Sequence, residues 1–99
     1  MANHPLLVTR VDIAPGVETE WNRWYDEIHV PEILKVFGFL TARRYRAIEG
    51  APKYMALYEM EDVQAFYSDA FNRAKGWGQF LSDISNKTVN VYEPLPPYR

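Results

Sequence analysis

The spacing of apolar positions changes along the chain, and each change marks an element. Leu6 to Ile13 is a nearly continuous β-branched and apolar run, which predicts a first strand. Ala14-Pro15-Gly16 is a turn. Beyond it Val17, Trp21, Trp24 and Ile28 recur at spacings of four, three and four, the signature of one face of an α-helix. Pro31 lacks an N–H and its ring crowds the carbonyl of Glu27, so that helix is expected to end or kink there. A shorter helical piece, Pro31 to Val36, should follow. Gly38 closes it. Phe39 to Ile48 and Lys53 to Met60 read as two strands, and the short link Glu49-Gly50-Ala51-Pro52 makes them an antiparallel hairpin. Glu61-Asp62 can cap a helix beginning at Val63, and Ser68-Asp69 can break and recap it. Phe71, Ala74, Leu81 and Ile84 extend a helical face, weakened around Trp77 by Gly76 and Gly78. Lys87 to Glu93 is the last strand, and Pro94 to Arg99 an irregular tail.

The order β-α-β-β-α-β predicts an α+β, ferredoxin-like fold: a four-stranded antiparallel sheet with helices on one face. The first strand carries apolar residues at both parities, Leu6 with Val8 and Leu7 with Val11. The sheet face away from the helices therefore also needs cover, and a second copy of the chain is the simplest cover. We expect a homodimer of one domain per chain, spanning residues 1–99 with its core over about 6–93.

Composition narrows the function. With 11 Lys and Arg against 13 Asp and Glu, the net charge of -2 gives no basic field for nucleic acid or an anionic membrane. No stretch approaches the ~20 apolar residues of a membrane span, and the first residues do not read as a signal peptide. The chain is expected to be cytoplasmic. The absence of cysteine removes disulfides, thiolate nucleophiles and sulfur-ligated metals. Only His4 and His29 are imidazoles, too few and too badly spaced for a protein-built metal site. Aromatics at 15% exceed what a modest core needs, so some can line a pocket or an interface.

The run from Glu20 to Glu32 then stands out. It holds Trp21, Trp24, Tyr25, four carboxylates and His29 in little more than three helical turns. Trp21 and Trp24 read as core. His29 is the leading catalytic candidate, because an imidazole can give or take a proton near neutral pH. A helix C-terminus and the nearby Asp26 and Glu32 would raise its pKa, while burial beside Trp24 or Tyr25 would lower it. Tyr25 lies one turn earlier on the same face and can share a substrate proton with it. Substrate-binding candidates come from later elements. In Arg43-Arg44-Tyr45-Arg46 neighbours point to opposite sheet faces, so either Arg44 with Arg46, or Arg43 with Tyr45, can face a cavity and offer a guanidinium to a carboxylate. Tyr54 and Tyr58 share a face of the next strand. Phe66 and Tyr67 can close a cavity from the second helix, and Trp77, between two glycines, can cap it.

Trp24-Tyr25-Asp26-Glu27-Ile28-His29-Val30-Pro31-Glu32, Gly38-Phe39-Leu40-Thr41-Ala42-Arg43-Arg44-Tyr45 and Tyr54-Met55-Ala56-Leu57-Tyr58-Glu59 together resemble the dimeric α+β barrel superfamily, in particular its EthD-like and small bacterial branches. The likeness spans roughly residues 6 to 93. It implies a homodimer with one cavity per subunit, between helices and sheet, for small aromatic, phenolic or polyketide-like ligands. That superfamily holds cofactor-free monooxygenases, polyketide cyclases, isomerases and haem enzymes. Residues and resemblance together predict a cofactor-independent lyase-type enzyme, in which His29 and Tyr25 move protons during a decarboxylation, dehydration or other elimination. An isomerase or polyketide-type cyclase, a cofactor-free monooxygenase, and a non-catalytic binding protein for hydrophobic metabolites are the alternatives. Neither a cofactor nor a metal is expected, although His29 could serve a haem as axial ligand.

Overall fold

The computed structural model describes residues 3–96; the second half of the expected tail, 97–99, lies outside the described residues. Four strands, β1 (Leu6–Ile13), β2 (Phe39–Arg46), β3 (Tyr54–Met60) and β4 (Ile84–Tyr92), form one antiparallel sheet in the order β2-β3-β1-β4. The helices α1 (Glu18–Trp24), α2 (Val30–Leu34) and α3 (Asp69–Ala74) lie on one face of it. This is the ferredoxin-like α+β arrangement. The two central strands, β1 and β3, pair through Leu7↔Tyr58 and Thr9↔Ala56, while β4 brings Val91 opposite Leu7 and Val89 opposite Thr9. Since directly opposed residues share a face, Leu7, Thr9, Val11, Tyr54, Ala56, Tyr58, Val89 and Val91 all point towards the helices. Trp21, Leu7, Ile33 and Met60 are the largest side chains fully removed from solvent, and they form the centre of the core between sheet and helices.

Pro31 does not end the first helix. Backbone angles stay right-handed helical through Trp24, Tyr25, His29 and Val30, so α1 and α2 are joined by a π-helical turn, Tyr25–His29. Within it the Val30 N–H bonds the Tyr25 carbonyl, five residues back. The wider turn gives the proline ring room where a regular α-turn would bring it against the Glu27 carbonyl. The expected break is thus absorbed as a local widening, and the rod runs over 18–34.

Later boundaries also move. Asp62 caps only a short 3-10 turn, Val63–Ala65, by accepting from the Gln64 N–H. Ser68 recaps the chain by accepting from the Phe71 N–H, which starts α3. Gly76, with φ +104, turns the chain, and Gly78–Asp83 is a 3-10 segment. Ile84, read as part of a helical face, instead opens β4, where it pairs with Ile13.

Among the described residues no helix covers the other sheet face. Leu6, Val8 and Arg10 of β1 stand there beside Met55, Leu57 and Glu59 of β3, Arg43 and Tyr45 of β2, and Asn90 and Tyr92 of β4. Tyr45 and Tyr92 are both exposed on it.

Candidate functional site

Between the helical layer and the sheet lies a pocket of about 480 Å³. Its floor is made of buried groups: Leu7 from β1, Tyr58 from β3, Phe71 from α3, Ile33 from α2, and Tyr25 with His29 from the π-helical turn. Phe66, Trp77, Leu81 and Val89 complete the apolar walls, and Thr9, Asn72, Lys75 and Lys87 supply the remaining polar groups. A cavity of this size and composition is the usual form of a small-molecule site.

The π-helical turn is what assembles the aromatic floor. An extra residue in one turn rotates the residues after it around the helix axis. His29 therefore lies flat against Trp24, five residues earlier, with ring centroids 4.8 Å apart and planes 12° from parallel. Tyr25 meets the same imidazole edge-on, also at 4.8 Å. Only 6% of His29 is exposed. Among the described residues no carboxylate pairs with its ring. Burial, aided by the positive charge of Arg44, lowers its pKa from 6.5 to about 4. The opposing influences expected from the sequence are absent. His29 lies within the rod rather than at its end, and Asp26 turns outward to pair with Arg44. His29 is therefore a neutral imidazole at pH ~7, able to accept a proton or a hydrogen bond.

The hydroxyls of Tyr25 and Tyr58 lie 3.1 Å apart, one donating to the other. Burial raises both phenol pKa values, that of Tyr58 further through the Tyr25 hydroxyl beside it. Both rings therefore stay protonated at neutral pH. The pair can offer a hydrogen-bond donor to a ligand oxygen, but it is not a base.

Arg44 lies elsewhere than expected. Its guanidinium packs 4.3 Å from the Tyr25 ring centroid and 4.9 Å from that of Trp21. It donates to Asp26 at 2.8 Å and to the Asn22 side-chain oxygen at 2.7 Å. It braces the back of Tyr25 and does not line the pocket. Tyr45 stands on the opposite sheet face, where Tyr45↔Met55 pairing puts it. Tyr54 shares the buried face with Tyr58, yet its hydroxyl is committed to Glu18 and Asn22 beneath Trp21. Tyr67 is 65% exposed and outside the lining, while its neighbour Phe66 is in it. Of the nine candidate residues the pocket thus gathers His29, Tyr25, Tyr58, Phe66 and Trp77, and leaves out Arg44, Tyr45, Tyr54 and Tyr67.

Sequence reasoning missed Thr9, Asn72, Lys75 and Lys87. Thr9 carried a usable signal, since it is the polar member of the buried-face series Leu7, Thr9, Val11, Ile13. Lys87 shares parity with Val89 and Val91. Asn72 and Lys75 had no such signal, because α3 is too short to show a periodicity.

The sequence profile of a family described as a domain of unknown function, DUF4286, matches residues 5–85. No curated protein matches the chain. Several solved structures share its fold. The haem degrader MhuD from Mycobacterium tuberculosis superposes with a TM-score of 0.70 at 14% identity, covering 96% of this chain and 99% of that one. The cofactor-independent oxygenase SnoaB from Streptomyces nogalater gives 0.69 at 16%, with 97% of each chain covered. An EthD family protein from Bacillus halodurans gives 0.64 at 16%, covering 93% and 99%. Likeness at such identities establishes the fold, which is that of the dimeric α+β barrel proteins. The named activities among these neighbours are oxidative, a haem degrader and a cofactor-independent oxygenase. They overturn the expected lyase-type step in favour of the monooxygenase alternative.

Proposed function

The chain belongs to the DUF4286 family, and we propose that it is a cofactor-independent oxygenase acting on a small, electron-rich hydroxyaromatic molecule. The observation that carries this reading is a neutral, buried His29 over the Tyr25–Tyr58 pair in an apolar pocket. His29 would accept a proton from a phenol or from a doubly activated methylene, and the tyrosine pair would donate to the developing oxyanion. A base with a pKa of about 4 cannot ionise a phenol unaided. As the substrate anion forms beside the ring, however, its charge favours the imidazolium and raises that value. The electron-rich anion then reduces dioxygen directly. At a methylene centre both C–H bonds break and a carbonyl forms. One oxygen atom of dioxygen enters that carbonyl, and the other leaves as water with the two hydrogens. All four electrons come from the substrate. Exclusion of water by Leu7, Ile33, Phe71 and Trp77 protects the anion from simple reprotonation.

In this reading residues 1–99 form one domain per subunit, and two subunits pair through the helix-free sheet faces. Leu6, Met55 and Leu57, each partly exposed, supply the apolar part of that surface.

The test is oxygen uptake with 1,8-dihydroxyanthrone, measured above the uncatalysed rate. The wild type should consume dioxygen, and His29→Gln should lose roughly 100-fold or more of that rate. No enzyme-dependent uptake, or equal uptake by the variant, would overturn the proposal. Haem binding is a second reading, favoured by the unpaired neutral ring of His29, which suits an axial ligand; bound haem would supply the oxygen chemistry. Titration with hemin separates the two. A Soret shift lost in His29→Gln would favour haem binding.

A further inference from the structure

The floor of the pocket is buried and carries no charged group, only apolar side chains with the neutral Tyr25, Tyr58 and His29, whereas its mouth is cationic. Among the described residues, Lys75 and Lys87 are the only charged ones in its lining, and both are exposed. The surrounding protein is net negative, so this positive rim runs against the overall balance. Among the described residues neither lysine pairs with a carboxylate, although Lys53, Arg23 and Arg44 all do. An exposed lysine is ordinarily just solvated. These two differ because separate elements bring them to one opening. Lys75 follows the last residue of α3, where its N–H closes onto the Phe71 carbonyl at 2.8 Å, and Gly76 then turns the chain away. Lys87 comes from β4, on the helix-facing side of the strand, and its ammonium lies 5.7 Å from the Trp77 ring centroid, across the same opening.

We propose that the pocket selects ligands with an apolar, aromatic body and an anionic end, the anion being held at the mouth between Lys75 and Lys87. The proposal rests on the reading that this pocket binds a small aromatic molecule. It also supplies the cation that Arg44, bound to Asp26 and Asn22, cannot. The buried floor offers neutral hydrogen-bonding groups but no cation, and would penalise a fully charged carboxylate, so a ligand of mixed character has one favourable orientation, with its aromatic body inward and its permanent charge at the rim. Two half-solvated ion pairs are worth about a tenfold preference together. Such a preference is screened by salt. Selection would thus act on orientation as well as affinity, presenting the same ring edge to His29 each time.

Calorimetric titration with 2-naphthoate and its neutral counterpart 2-naphthamide tests this without turnover. The wild type should bind the carboxylate about tenfold more tightly, and ~0.5 M salt should shrink the difference. A variant carrying both Lys75→Gln and Lys87→Gln should lose the difference while keeping its affinity for the amide. Equal binding of the two probes by the wild type, a preference that survives in the double variant, or failure to bind either probe would overturn the inference. A preference found without any oxygen uptake would uphold it and remove the oxygenase reading; uptake without a preference would do the reverse.

Discussion

An imidazole in water gains its proton near pH ~6.5, and a folded protein keeps it there only if it supplies a counter-charge or solvent. His29 has neither: it is sandwiched against Trp24 and Tyr25, and the nearby charge is the positive one of Arg44, packed on Tyr25. Its folded pKa of about 4 lies below the unfolded value, so the folded state binds fewer protons than the unfolded one. The stabilisation from keeping His29 neutral is complete above the unfolded value and is lost as pH falls towards the folded one. Between pH ~7 and pH ~5 the wild type should lose about 2 kcal/mol of unfolding free energy from this residue alone. Urea titrations of wild type and His29→Gln at both values check this. If the two proteins show the same pH dependence, the ring is solvated or paired and its assignment as a neutral acceptor fails.

The helical rod over 18–34 shows how an element can obey a sequence signal without breaking. Pro31 was legible as a disruption, because a missing N–H and a fixed ring are local facts. That the disruption would become a π-helical turn was not legible, since a broken helix and a widened one are nearly equal locally. The packing of Trp21, Tyr25 and Ile33 against the sheet decides between them. Gly38 makes the complementary case, in which one position satisfies two demands. With φ +95 it turns the chain from α2 into β2, and a β-carbon there would lie 2.9 Å from the Ala65 β-carbon. Gly38→Ala should therefore destabilise the fold by roughly 2 kcal/mol, with the left-handed backbone and the overlap adding together. Thermal unfolding measures it, and a loss under ~0.5 kcal/mol would mean that the 63–65 turn moves aside freely.

On the scale of the whole molecule the helix-free sheet face stands out. Leu57 lies at its centre, opposite Val8 on one side and Arg43 on the other. If two subunits meet there, Leu57→Glu should place two unpaired carboxylates in an apolar contact and shift the protein from dimer to monomer. Light scattering coupled to gel filtration reads the change, with far-ultraviolet circular dichroism to verify that the variant is folded. A wild type that runs as a monomer, or a folded variant that stays dimeric, would sink the proposed interface.

Local spacing was enough to establish the order of elements, the ferredoxin-like sheet, the caps at Asp62 and Ser68, and the grouping of His29 with Tyr25. Each element, cap and pairing of neighbours follows from a pattern within about ten residues, and the sheet from the order of the elements. Which candidates share a cavity was settled by packing in three dimensions. Tyr54 and Tyr58 have the same parity, yet one is tied to Glu18 and the other opens onto the pocket. Arg44 has the right chemistry for an anion but faces Asp26, while Lys75 and Lys87, twelve residues apart and on different segments, both line the pocket. Periodicity fixes the face a side chain occupies. Its neighbours across the sheet and the helical layer fix what that side chain can still bind, and those neighbours come from chain segments that no local pattern links.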